Sequence, residues 1–344
     1  MSFMVIGVSA EEEVTLAPAQ MSLAKMKKAD VNKDGSYSTS DVQALLQAVI
    51  GAVENSDSAE YDINSDGCVS FEDAREVLRH VSGAEPIVSD EELVEIVNFK
   101  LNAVKTDKPT FHGVSTVQCK SMKVTQKVTA SNAIVGALLG DMNFTDLEYD
   151  KYIEKMIAMM EDNKELTAED LKEIEAMRNS AKTYRDPVVG ERTVDAAESP
   201  YGHLLYFPRE RKNVACELTV NDIKSITYSV RNGVITINIV MPTASYTAST
   251  YPSDLTKTSY GKAFNVANLK GSSDSTLTKG EYKNGKLTLA LDKETEMIQL
   301  ADYSYEYYSE VKAPTQSQTD PKIGTVTIDM VTKTSASVKE TFTF

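Results

Sequence analysis

The 344-residue chain has no tryptophan, three histidines and three cysteines, and only 7% of its residues are aromatic. An odd cysteine count excludes a fully paired disulfide framework within one chain, and Cys68, Cys119 and Cys216 form no CxxC pair. A single Cys119–Cys216 bridge stays open. With only His80, His112 and His203 present, a histidine-dependent nucleophilic site has His112 or His203 to use. Each reads more simply as a surface or loop residue. No apolar run is long enough to span a bilayer. There is no P-loop, no GxGxxG between strand and helix, no GxSxG elbow and no HExxH. Basic residues are also scarce, 36 against 51 acidic, for a formal net charge of −15. A field of that sign repels phosphate backbones and anionic headgroups, so neither nucleic acid nor a membrane surface is expected as a partner.

What is present is enough chain for two or three domains. Residues 1–10 are apolar and end in Val8-Ser9-Ala10, followed abruptly by Glu11-Glu12-Glu13. Small residues before a charged segment read as the remnant of a signal peptide and its cleavage site, with the basic n-region missing. On that reading the mature chain is secreted and extracellular. Residues 11–23 read as a flexible leader, and Gly83-Ala84-Glu85-Pro86 breaks the helical pattern and closes a first domain.

Beyond residue 89 the pattern is that of one α+β domain running to residue 344, with helices first and an antiparallel sheet after them. Ser89 opens a helix with carboxylates in its first turn, and residues 110–130 read as extended. Residues 145–183 read as helices: Ile153, Met156, Ile157 and Met160, then Leu171, Ile174 and Met177, keep helical spacing, with Thr167 as N-cap. Asn232-Gly233 and Asn284-Gly285 are two-residue hairpin signals ahead of the alternating Ile235, Ile237, Ile239 and Leu287, Leu289, Leu291.

The chemistry lies in a repeat. Asp30 to Asp41 and Asp62 to Asp73 align without gaps, 32 residues apart. Each has Asp at position 1, Asn at 3, Asp at 5 and Gly at 6, Ser at 9 and Asp at 12. Calcium is a hard cation that takes six to eight oxygens at about 2.3–2.6 Å. The side chains of Asp30, Asn32 and Asp34, or of Asp62, Asn64 and Asp66, reach inward from a tightly wound loop. Gly35 and Gly67 permit the sharp turn. Position 7, Ser36 or Cys68, contributes only its carbonyl, so a cysteine is compatible there. Ser38 and Ser70 ligate directly or through water, and Asp41 and Asp73 supply the final carboxylate. The bland alternative, an Asx-rich turn, explains one copy but not two with the same spacing and a helical pattern after each.

Position 12 is aspartate rather than the glutamate of calmodulin-like loops, and the segments entering each loop read as too short or too polar for full helices. This arrangement over residues 24–84 resembles a type I dockerin module. The resemblance implies a small all-α module with two calcium ions, and as partner a cohesin domain of a scaffoldin in a cellulosome-like, polysaccharide-degrading complex. It also implies cohesin contacts at Thr39, Ser40, Leu46 and Gln47 from the first repeat and at Phe71, Glu72, Leu78 and Arg79 from the second. One set is small and neutral and the other aromatic and charged, so one docking orientation is expected to dominate. Two features depart from the family's pattern: Tyr37 stands where isoleucine or valine is usual, and the module lies near the N-terminus. The apolar residues after the first loop, Val42, Leu45, Leu46, Val49 and Ile50, would pack on Val77, Leu78 and Val81. Whether Leu46 and Leu78 are core or interface stays open at this point.

The second domain shows no acid/base pair and is read as a binding or structural module, with a polysaccharide or a small ligand as its target. The alternative is a scaffold-docked glycoside hydrolase, whose paired carboxylates and aromatic cleft floor the sequence does not display. A third reading keeps the calcium but drops the scaffold, leaving the loops to stabilise a secreted protein. Tyr303, Tyr305 and Tyr307 share one strand face, with Tyr308 opposite and Tyr201, Tyr206 and Tyr282 as neighbours. Such a ladder either offers rings to a ligand or packs across strands, and packing is expected.

Overall fold

In the computed structural model the chain is described at residues 17–53, 59–64, 66–84, 87–162, 166–195, 215–322 and 324–344. The apolar stub at residues 1–10, Tyr201, His203 and Tyr206 lie outside the described residues. The chain divides into two compact units, Met1–Ile96 with Arg231–Gly233, and Val97–Val230 with Val234–Phe344. Together they are α+β, with eight helices and a ten-stranded antiparallel sheet among the described residues.

The first unit is built on three helices of equal length: α1 (Pro18–Lys28), α2 (Thr39–Val49) and α3 (Phe71–Val81). Helix α1 corrects two expectations. Its residues to Leu23 were read as leader, and the first loop was expected to lack a full entering helix. Pro18 stands in the first turn, where its missing N–H costs nothing, and Ala19, Ser22, Leu23 and Met26 make a buried stripe. Helices α2 and α3 start from Ser38 and Ser70, whose hydroxyls accept the N–H of Ser40 and Glu72 (both 3.1 Å). The core of the unit is Leu23, Met26, Val42, Leu45, Ala48, Ile63, Ala74 and Val77. An ion pair from Lys25 to Glu76 (2.7 Å) ties α1 to α3.

In the second unit, the sequence Phe111–Ala130 forms one long strand, β1. After it come α5 (Ala133–Leu138), β2 (Phe144–Glu148), α6 (Tyr149–Glu161), α7 (Ala168–Thr183) and β3 (Val188–Val194). The sheet continues with β4 (Ser225–Arg231), β5 (Val234–Val240), β6 (Ala244–Tyr246), β7 (Thr276–Asp292), β8 (Ile298–Lys312), β9 (Gln316–Asp320) and β10 (Gly324–Thr343). Strand order is β2-β1-β10-β8-β7-β5-β4, with β3 beside β1, β6 beside β7 and β9 beside β10. Helix α4 (Asp90–Asp107) opens as expected, Ser89 and Glu92 capping each other. Ile153, Ile157 and Ile174 close a small core between α6 and α7, whereas Leu171 is exposed.

Two Asn-Gly pairs with the same local signal have different fates. Asn232-Gly233 joins β4 to β5 with both residues at positive φ, the two-residue turn expected. The alternating residues after it pair in the order read: Ile235 with Leu291, Ile237 with Leu289, Ile239 with Leu287. Asn284-Gly285, expected to be a hairpin, instead lies inside β7. There Asn284 takes φ 55° and the register against β8 shifts between Lys283 and Lys286, a β-bulge. A left-handed residue suits either device, and the buried ring of Tyr260 decides it. The Gly285 N–H donates to Tyr260 Oη (3.1 Å), and a Cβ on Gly285 would stand 2.5 Å from that ring. Gly285→Ala is therefore expected to destabilise the second unit by about 1–3 kcal/mol. Denaturant unfolding followed by tyrosine near-UV circular dichroism measures this; an unchanged midpoint refutes the bulge-packing account.

The tyrosine ladder is core at Tyr303 and Tyr305 and half-buried at Tyr307. Tyr303 and Tyr305 are buried on β8, Tyr282 beside them on β7. Phe264 stacks on Tyr303 (centroids 4.9 Å apart) and Tyr260 on Tyr282 (5.4 Å). Their hydroxyls are bonded inside the fold: Tyr282 Oη donates to the Ala267 carbonyl, and the Ala267 N–H donates to Tyr305 Oη (2.9 Å). Burial pushes Tyr260 up to about 12 and raises Tyr282 and Tyr305 further still. Tyr308 points to the other face, with Lys279 over its ring. No disulfide forms among the cysteines: Cys68 is exposed, Cys119 half-buried and Cys216 buried.

Candidate metal centre

Each twelve-residue loop is held by its own acidic side chains, which collect backbone N–H groups pointing inward. In the first loop Asp30 Oδ1 accepts from the Asp34 N–H (3.1 Å) and Oδ2 from the Gly35 N–H (2.8 Å). Asn32 Oδ1 accepts from the Asp34 N–H and Asp34 Oδ1 from the Ser36 N–H, both at 2.9 Å. Asp41, from the first turn of α2, closes the loop: Oδ2 accepts from the Ser38 N–H (2.8 Å) and Oδ1 from the Asn32 N–H (3.2 Å).

The second loop repeats this pattern and adds one bond, from the Ile63 N–H. Asp62 takes the N–H groups of Asp66 (3.1 Å) and Gly67 (3.0 Å), and Asn64 and Asp66 take those of Asp66 and Cys68 at 2.9 Å. Asp73 takes those of Ser70 (2.8 Å), Asn64 (3.2 Å) and Ile63 (2.8 Å). Gly35 and Gly67 sit at φ 85° and 89°, the left-handed turn that bends position 5 back over position 1. Cys68 is exposed.

This geometry fits a cation. Asp30, Asp41, Asp62 and Asp73 are buried, and each carries a charge that backbone dipoles only partly satisfy. Burial raises the Asp41 carboxyl above its ordinary value; the charges of Asp30 and Asp34 push the same way, against the Ser38 and Asn32 N–H groups. Among the described residues no three His, Cys, Asp or Glu side chains suffice by themselves for a metal. The donor set is mixed, with amide, hydroxyl and carbonyl oxygens beside the carboxylates, and that is the mixture a hard, flexible-geometry cation accepts.

The Dockerin type I domain family model matches residues 28–82. That segment is a type I dockerin module. Dockerin domains bind calcium and dock on cohesin, and no helix among the described residues is long and apolar enough to cross a membrane. No curated protein and no solved structure matches the chain.

Within the dockerin, all eight residues expected at the cohesin contact are exposed. Leu46 is 38%, Leu78 47% and Phe71 62% accessible, so the two leucines left open between core and surface belong to the surface. The buried partners of that packing are Val42, Leu45 and Val77, and Ile50 is exposed as well. Tyr37, the unusual residue of loop one, packs edge-on against His80 of α3 (5.3 Å), and burial lowers the histidine's pKa. Sequence reasoning missed the support from α1, whose Lys28 ammonium donates to the Asp62 carbonyl (3.3 Å). Only the basic last turn of α1 hinted at it.

In the second unit His112 is exposed, its Nδ1 3.2 Å from Thr193 Oγ1, and no nucleophilic set forms around it among the described residues. A cavity of about 350 Å³ opens beside Phe111 and Phe342 on the sheet, with Glu191 and Glu340 at its border. Glu340 pairs with Ser115 and Glu191 with Val114 across β1, so the two carboxylates leave opposite faces of the sheet.

Proposed function

We propose that residues 24–84 hold two calcium ions and dock this protein onto a cohesin domain of a scaffoldin in an extracellular, polysaccharide-degrading complex. Asp30, Asn32, Asp34, the Ser36 carbonyl, Ser38 and Asp41 hold one ion; Asp62, Asn64, Asp66, the Cys68 carbonyl, Ser70 and Asp73 hold the other. When bound, each ion supplies the positive charge that lets four buried aspartates share a module with little core. The chain's own part is to fix the first turns of α2 and α3, because Asp41 and Asp73 belong to the loop and to the helix at once. The supporting observation is the pair of superimposable loop networks, each followed by a helix with its expected contact residues exposed. Residues 89–344 are the cargo, read as a binding or structural module. The opposite faces taken by Glu191 and Glu340 favour that reading over a hydrolase, whose carboxylates must flank one bond.

The two contact sets differ, and the larger anchor is on α3. Phe71 and Leu78 are exposed apolar groups of the kind that carry interface energy, while Thr39 and Ser40 are small. Phe71→Ala with Leu78→Ala is expected to weaken cohesin binding at least tenfold, and Thr39→Ala with Ser40→Ala by less than threefold. Surface plasmon resonance against immobilised cohesin measures both; equal losses would contradict a dominant orientation. The docking itself is tested by cohesin pull-down with and without a chelator.

A further inference from the structure

Four strands of the second unit form a row across the sheet: Tyr303 on β8, Glu340 on β10, Ser115 on β1 and Gly190 on β3. In the next row stand Phe342, Gly113 and Arg192. Paired residues of an antiparallel sheet share a face, so these side chains and gaps look onto one surface. Gly190 leaves that surface bare, and Gly113 makes room for the Phe342 ring. A Cβ at Gly190 would meet nothing within 4 Å, and one at Gly113 would stand 3.1 Å from the Phe342 ring. The hollow above them is the cavity of about 350 Å³, walled by Phe111 and Phe342 and bordered by Asn265. That volume is at the small end of ligand sites.

Glu340 is the charged group of its row. Its Oε1 accepts from Ser115 Oγ (3.3 Å) and its Oε2 from the Tyr303 hydroxyl. Both donors are neutral, and among the described residues no cation pairs with it. An ionised carboxylate has about four lone-pair directions, so acceptor capacity remains. Arg192 also lines the cavity, but its backbone lies two strands and one row away, roughly 12 Å by ordinary strand spacing, and the side-chain partners of Glu340 are Ser115 and Tyr303. Burial raises the Glu340 carboxyl above its ordinary range, which is what a missing counter-charge produces. The adjacent Phe faces attract cations and also shelter an apolar body.

We propose that this cavity binds a small organic ammonium ion with an apolar body, the ammonium on Glu340 and the body in the hollow over Gly190, beside the Phe111–Phe342 pair. The proposal rests on the reading of residues 89–344 as a binding module and names its ligand class. The experiment is calorimetric titration of the full calcium-loaded chain with benzylamine and, separately, with the uncharged benzyl alcohol. Benzylamine is expected to bind saturably and at least tenfold more tightly than the alcohol. Glu340→Gln, which keeps an acceptor for one of the two hydroxyls and offers the other an N–H to accept, should bring it down to the alcohol's affinity. Gly190→Leu should fill the hollow and abolish both without touching Glu340. Equal affinities for the two probes, unchanged in Glu340→Gln, would overturn the ammonium assignment and leave a simple apolar pocket. Binding of neither would overturn the ammonium proposal and leave the reading of a binding or structural module standing. Should Glu340→Gln lose its tyrosine near-UV signal, folded Gly190→Leu decides: lost benzylamine binding supports the proposal and retained binding overturns it.

Discussion

Removing calcium with EGTA should abolish cohesin binding, by at least a thousandfold, and unfold α2 and α3 while the second unit stays folded. A segment of this size has a folding free energy of about 3–9 kcal/mol at typical values per residue. An ion held at a thousand times its dissociation constant contributes about 4 kcal/mol, so two such sites account for most or all of it. Without calcium, Asp30, Asp41, Asp62 and Asp73 remain buried with only N–H dipoles for company. Loop and helix then fail together, because the caps Ser38 and Ser70 are held by the same carboxylates, Asp41 and Asp73. Far-UV circular dichroism should lose part of its helical signal on chelation and regain it with calcium. The near-UV signal of the buried Tyr260, Tyr282, Tyr303 and Tyr305 should not move. Helicity and cohesin binding that both survive EGTA would sink the calcium reading.

Asp73→Ala should be the most damaging single substitution in the module, costing about 3–5 kcal/mol and at least a hundredfold in calcium affinity at the second loop. Asp73 is fully buried and accepts from three backbone N–H groups, those of Ile63, Asn64 and Ser70. Alanine strands all three and removes both oxygens that position 12 offers the ion. Asp41→Ala should behave similarly but more mildly, with two such donors, from Asn32 and Ser38. Cys68→Ser is the control: its thiol is exposed and the proposal gives the ion only its carbonyl, so affinity should stay within threefold. Calorimetric calcium titration of the three variants measures the order. A loss in Cys68→Ser matching that in Asp73→Ala would show that the ligand assignment is wrong.

The loops were legible because every ligand of a calcium loop comes from one dozen consecutive residues, so the sequence spacing is the site's geometry. The same locality made the starts of α4 at Ser89 and α7 at Thr167 readable, since a cap is settled within four residues, whereas Ser38 and Ser70 were read only as ligands and the structure shows them capping α2 and α3 as well. Helix α1 was missed because its apolar stripe is narrow, Leu23 and Met26 with small residues between. Its burial comes from contacts with the other two helices, which local spacing does not show.

By itself, then, the sequence determined the calcium chemistry, the dockerin resemblance with its cohesin partner, and the alternating strands Ile235–Ile239 and Leu287–Leu291. Tertiary structure alone decided which faces those elements present. Leu46 and Leu78 have the same apolar side chain as Leu45, and only the packing of α2 on α3 puts Leu45 inside and leaves the other two exposed. Asn284-Gly285 carries the signal of Asn232-Gly233, and only the ring of Tyr260 turns it into a bulge. The row from Tyr303 through Glu340 and Ser115 to Gly190 joins residues far apart in the chain. Its register is set by the long pairing of β1 with β10, a non-local contact that no window of sequence contains.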